Sequence, residues 1–248
     1  MKLLVIVICL ISERFLAHTS VHNRFNWFTS YAKSVQKSIS EPITTPYRWL
    51  LLTFILLPIL ISVAFVLFLT SSMVFGIIYL LLNVVIFYYC LGPKNPFYPE
   101  NLKDNASEKE LGNYFAEVNG QLFAVIFWYI VLGPLGVLAY RLISLSRTQE
   151  AVKGPADTLT HILDWVPAKF TALLYLLVGN FQVGFQHFTR LFFTPPHNNE
   201  TILSVCGLHA VGFDEQEQVY MPEAETLVEH AAIVLLVFLA IFTLVAWL

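Results

Sequence analysis

The residues best placed to do chemistry lie in one stretch, Asp157-Thr-Leu-Thr-His161-Ile-Leu-Asp164-Trp165-Val-Pro167-Ala-Lys169. On a helix, Asp157, His161 and Asp164 are spaced i, i+4, i+7, so two carboxylates and an imidazole share one face. That face could coordinate a divalent metal or hold a proton. The competing reading is a polar helix start at a membrane surface, with its acids near the positive end of the helix dipole. Pro167 deprives the Leu163 carbonyl of its usual donor, and Lys169 follows inside the apolar half. Its ammonium either snorkels to the interface or, with Arg141, Asp164 and Trp165, contacts an anionic head group or phosphate. Glu117 and Asn119, with Gln121, set an acid and two amides before the next apolar run; as ligand contacts they compete with plain helix capping. No Walker-type phosphate loop, G-x-S-x-G or H-E-x-x-H occurs, so no complete active site is legible.

These residues need elements to position them, and the composition says in what solvent. Of 248 residues 57% are apolar and 12% charged, far from the soluble norm of roughly half and a quarter. Lipid must be part of the solvent. A net charge of −3, with fourteen Lys and Arg scattered over loops, excludes a nucleic-acid partner. Cys9, Cys90 and Cys206 are far apart, without C-x-x-C or metal-ligand spacing, which argues against a disulfide framework.

Met1-Lys2 and the run Leu3 to Ile11 resemble a signal peptide but lack a small-residue cleavage site, so a retained first helix is expected, an interfacial or cleaved segment being the alternative. The next loop carries Arg24, Lys33, Lys37 and Arg48 and should be cytoplasmic. Trp49 to Leu91 is uncharged and about twice the length of one span, with Thr70-Ser71-Ser72 in its middle. It reads as a tight transmembrane hairpin, bent at Pro58 and ended by Gly92-Pro93. Ser107 to Val118 predicts one amphipathic helix capped by Asn105 or Ser107. Leu122 to Leu142 can span, but Leu132-Gly133-Pro134-Leu135-Gly136 must bend or break it. A helix from Ala156 to about Asn180 enters the membrane from a surface. Phe181 to Leu227, acidic and interrupted at Pro195-Pro196, is expected to be loosely structured, and Ala231 to Leu248 forms the last helix. The acidity of Phe181 to Leu227 conflicts with simple alternation of sides; a re-entrant segment at Leu132 to Gly136 would remove the conflict. The fold class expected is all-α: a polytopic helical membrane protein with a tight hairpin and a Gly/Pro-broken helix. It is taken as a single membrane domain over 1–248, with loops 17–48, 92–120 and 181–227 outside the hydrocarbon core.

Three stretches together resemble the AmpE family of inner-membrane proteins linked to β-lactamase induction. They are Cys90-Leu-Gly-Pro93-Lys94; Phe123 to Arg141 with Gly133-Pro134-Leu-Gly136 and Tyr140-Arg141; and Leu163-Asp164-Trp165-Val-Pro167-Ala-Lys169. That family is in turn similar to the CobD/CbiB membrane enzymes, which form an amide bond in cobalamin synthesis. Where those enzymes carry Asn-Thr-Leu-Asp after the arginine, this chain reads Ile143-Ser144-Leu145-Ser146, and Thr160-His161 stands about where they have paired acids. The resemblance implies an inner-membrane regulatory protein that senses envelope state, with an antibiotic response as readout and no cofactor. Its expected partners are membrane lipids, an anionic small-molecule ligand and envelope-signalling proteins. The CobD-like enzyme is the alternative.

Overall fold

A computed structural model describes residues 2–15, 25–38, 45–72, 76–92, 97, 107–212 and 221–245. All regular structure among them is helical: α1 (Lys2–Phe15), α2 (Asn26–Ser38), α3 (Thr45–Ser72), α4 (Gly76–Cys90), α5 (Glu108–Val118), α6 (Ala124–Ser146), α7 (Lys153–Val178), α8 (Phe181–Leu191), α9 (Asn199–Val211) and α10 (Met221–Val245). Four helical stretches, Pro46–Thr70, Glu108–Ser146, Lys153–Val178 and Met221–Val245, are long and apolar enough to cross a bilayer, and Gly76–Cys90 is a shorter apolar helix. The chain divides into two compact units.

The first unit holds α1 through Cys9, α2, α3, α4, α6 from Val125 and α7 through Leu163. The expected hairpin is present as α3 packed on α4. Because hydrocarbon offers no hydrogen bonds, polar side chains on these helices turn back to their own backbone. Thr53 donates to the Trp49 carbonyl (3.0 Å), Ser62 to Pro58 (2.7 Å) and Thr70 to Val66 (2.9 Å). Phenylalanines 54, 65 and 68 point outward, as lipid-facing side chains do. Inside the unit, buried Asn83 ties α4 to α6 by accepting from Tyr129 Oη (3.2 Å), while its amide donates to the Tyr79 carbonyl (2.7 Å). Such bonds are the usual polar attachment between membrane helices.

The break expected in α6 falls at Gly133, whose φ of 73° and ψ of −159° only glycine adopts readily. Pro134 has no N–H, so the Ile130 carbonyl four residues earlier loses its helical donor. Lys2 Nζ supplies the replacement at 2.7 Å.

The second unit holds α1 from Leu10, α5, α7 from Asp164, α8, α9 and α10. Ser107 caps α5 in a reciprocal box: its backbone N–H donates to Glu110 Oε2 (2.8 Å) and its hydroxyl accepts from the Glu110 N–H (3.4 Å). Leu111, Tyr114, Phe115 and Val118 then fall on one buried face. A π-helical turn, Asn119–Phe123, leads into α6.

Here the sequence reading needs correction. Residues 181–211 are not loosely structured: α8 and α9 occupy them, joined by a short 3₁₀ turn at Pro196–Asn198. α9 is enclosed by α5, α8 and α10. The last helix starts at Met221, ten residues before Ala231, and the early part buries Met221, Ala224, Val228, Ala231 and Leu235. Their 3-4-3-4 spacing is a packing seam hidden among acids, invisible to a search for continuous apolar runs. Glu223 and Glu225 lie in its first turns, near the favourable N-terminal dipole. α2 likewise occupies part of the loop 17–48.

Close approach of α5 and α9 depends on small residues: a Cβ at Gly207 would strike the Phe115 ring, and one at Gly112 would strike Ser204 Oγ. Gly207→Val should therefore cost about 1–3 kcal/mol through overpacking. Gly154→Ala, where a Cβ meets nothing within 4 Å, should be neutral or stabilising by up to about 1 kcal/mol. Thermal unfolding of the detergent-solubilised chain checks both, and equal melting temperatures would contradict the α5–α9 packing.

Candidate functional site

Asp157 and His161 belong to the first unit, and the Asp157 carboxylate is engaged by Arg147, whose Nε lies 2.7 Å from Oδ1. Both side chains are about a third exposed, so this ion pair contributes little beyond ordering the turn between α6 and α7. No group of three or more His, Cys, Asp or Glu is arranged to hold a metal among the described residues.

Arg141 is also in the first unit and is buried at 3% exposure. Its Nε donates to the carbonyl of Cys90, the last residue of α4, at 2.7 Å. A cation at a helix C-terminus satisfies a carbonyl that has no intrahelical donor and complements the dipole.

Asp164, Trp165, Lys169, Glu117 and Asn119 lie in the second unit. There α7 turns at Gly179-Asn180 and α8 comes back beside it: the Asn180 N–H donates to the Ala210 carbonyl (2.8 Å), and a Cβ at Gly184 would meet Leu176. At the far end of this hairpin the Trp165 indole N–H donates to the Thr194 carbonyl (3.1 Å). Lys169 Nζ sits 3.6 Å from the Trp165 ring centroid and 5.9 Å from that of Phe192. Lys169 is 8% exposed, and its hydrogen bond to the Trp165 carbonyl is long at 3.5 Å. An ammonium has three donors. Two aromatic faces stabilise the charge by about 0.5–2 kcal/mol but do not saturate those donors, and no carboxylate pairs with Lys169 among the described residues.

The amide cluster serves a different end. Asn119 Oδ1 accepts from the Thr171 hydroxyl (2.8 Å), both side chains being buried, and Gln121 donates to Glu117 (3.0 Å). Tyr175 donates to the Phe115 carbonyl (3.2 Å) and stacks near Phe115 and Phe123. These bonds lock the π turn against α7; such turns often mark functional sites. Cys206, in the middle of α9, is no nucleophile: burial pushes its thiol up to about 12, so it stays protonated at neutral pH.

Trp165 and Lys169, candidates by sequence, meet Phe192 and Thr194, which no sequence signal marked and which reach them only through the α7–α8 hairpin. Thr171, Arg147 and Lys2 were equally unmarked, ordinary residues whose contacts come from the partners they meet.

Residues 96–248 match the family described as regulatory signalling modulator protein AmpE. The chain is 34% identical over 76 residues to the cobalamin biosynthesis protein CobD of Chromobacterium violaceum, covering 26% of this chain and 23% of that protein. It is 36% identical over 69 residues to CobD of Stutzerimonas stutzeri, covering 23% and 22%. The chain thus aligns with less than a quarter of the length of either relative. No solved structure matches.

Two substitutions separate structural from ligand-holding roles. Thr171→Val leaves buried Asn119 without its partner and should destabilise by about 1–3 kcal/mol. Lys169→Met removes a buried charge that has no counter-ion among the described residues and should be neutral or stabilising by on the order of 1 kcal/mol. Chemical or thermal unfolding reads both; a large destabilisation by Lys169→Met would make that lysine structural.

Proposed function

Because the chain belongs to the AmpE family, we propose that it modulates a regulatory signal by holding an anionic ligand at the Trp165–Lys169 end of the α7–α8 hairpin. It is a multi-pass helical protein of the inner membrane, so the signal concerns the state of the envelope, and induction of a β-lactamase is the expected readout. The observation that carries the ligand reading is Lys169: nearly buried, flanked by two aromatic rings, with donors that its long contact to the Trp165 carbonyl leaves unsaturated. Natural proteins place such charges where binding needs them, since burial costs stability. Arg141 holds the end of α4 in the first unit and the Asn119–Thr171 bond holds the π turn in the second; both are read as positioning groups.

A CobD-like enzyme remains the second reading, favoured by the two CobD relatives. Its amide-forming chemistry would have to use Asp157, His161 and Asp164, and Asp157 is already paired with Arg147.

In a host with an inducible chromosomal β-lactamase, deletion of the gene should change induction several-fold, and the wild-type chain should restore it. Lys169→Gln, expressed at equal level, should fail to restore it, whereas Asp157→Asn should succeed. Full complementation by Lys169→Gln would remove the ligand reading, and failure of Asp157→Asn alone would favour the enzyme.

A further inference from the structure

The Lys169 box stands at one end of a longer feature. Phe181 and Phe185 stack with ring centroids 4.8 Å apart, Phe185 and Phe188 lie 6.1 Å apart, Phe188 and Phe192 5.4 Å, and Phe192 and Phe193 5.1 Å. Five phenylalanine rings thus form a continuous ladder along α8, about 16 Å for its eleven residues at 1.5 Å each. Phe188 is buried against the rest of the unit, but Phe181, Phe185 and Phe192 are each about two-fifths exposed and Phe193 is 87% exposed. The ladder's final rung on the helix side, Phe192, is the ring beside Lys169 Nζ.

α7 offers a second apolar rail. Val166, Phe170 and Leu177 are exposed and fall within about 40° of one another on a helix turning about 100° per residue, with Lys169 about 60° to one side. Between residues 181 and 194 there is no acid, and Arg190 is the one formal charge, so α8 itself presents no negative charge to an anion. An elongated apolar track ending at an ammonium with unsaturated donors has the polarity of an amphiphile: hydrocarbon along its length, negative charge at one tip.

Resting on the reading of Lys169 as an anion site, we propose that the ligand is a phosphate-bearing lipid, its headgroup on Lys169 and its hydrocarbon chain along the phenylalanine ladder of α8. The ammonium grips the phosphate, and the exposed rings of Phe192, Phe185 and Phe181 take the chain in order, with buried Phe188 backing them. Each buried methylene adds roughly 0.8 kcal/mol, so the chain supplies affinity and Lys169 supplies headgroup selection. A free phosphate uses the same ammonium without the ladder, and the experiment distinguishes the two sources.

The full chain is reconstituted in nanodiscs of phosphatidylcholine containing a trace of either phosphatidic acid or phosphatidylcholine with a photoactivatable diazirine in one acyl chain. Crosslinked peptides are mapped by mass spectrometry. The proposal expects the phosphatidic-acid probe to label residues 181–193 at least fivefold more than the phosphatidylcholine probe. Lys169→Gln should reduce that excess to nothing, Lys169→Arg should keep part of it, and millimolar inorganic phosphate should leave it largely intact. Equal labelling by the two probes in the wild-type chain, a comparison needing no variant, would make α8 an ordinary lipid-facing helix and overturn the proposal. A parallel measurement, the melting temperature of the detergent-solubilised chain with inorganic phosphate, reports the simpler anion site. A Lys169-dependent rise in melting temperature without selective labelling keeps the anion site and rejects the lipid; neither effect rejects both.

Discussion

A carbonyl that loses its helical donor must find another, and this constraint shapes the helices of the protein. Pro134 frees the Ile130 carbonyl, and Lys2 takes it at 2.7 Å. The end of α4 leaves the Cys90 carbonyl open, and Arg141 takes it at 2.7 Å. Lys169 reaches the Trp165 carbonyl only at 3.5 Å, with its ammonium over an indole ring. Lys2 and Arg141 thus each fill a carbonyl that lacks a helical donor, whereas the Trp165 carbonyl lies inside α7, where the backbone N–H of residue 169 serves it, and needs no cation. That difference sets the structural roles of Lys2 and Arg141 apart from the role proposed for Lys169.

How far the sequence reaches follows from the same physics. Spans, the hairpin and the break at Gly133-Pro134 were legible because lipid demands long uncharged runs and proline removes a donor wherever it stands. The Ser107 cap of α5 was legible because capping is local. α8, α9 and the first ten residues of α10 were not, because their stability comes from burial against one another: α9 is enclosed on several sides, and the seam Met221, Ala224, Val228 is interleaved with acids. Trp165 and Lys169 could be named as candidates by type and spacing. Phe192 and Thr194 could not, since only the return of α8 beside α7 brings them there. The pairing of Asp157 with Arg147 was equally hidden, as nothing in a helical face pattern names a partner ten residues back.

The family match spans residues 96–248, which contain α5 through α10 and so the hairpin, the π turn and the phenylalanine ladder. Likeness to CobD is confined to short stretches. The second unit also holds the glycine-enabled contact of α5 and α9 and the hydrogen-bonded π turn.

The most direct measurement is an experimental structure of the chain in a lipid nanodisc at a resolution that shows headgroups. The account predicts non-protein density within about 3 Å of Lys169 Nζ, flanked by Trp165 and Phe192. A Lys169 ammonium fully satisfied by protein groups, with no density beside it, would contradict it.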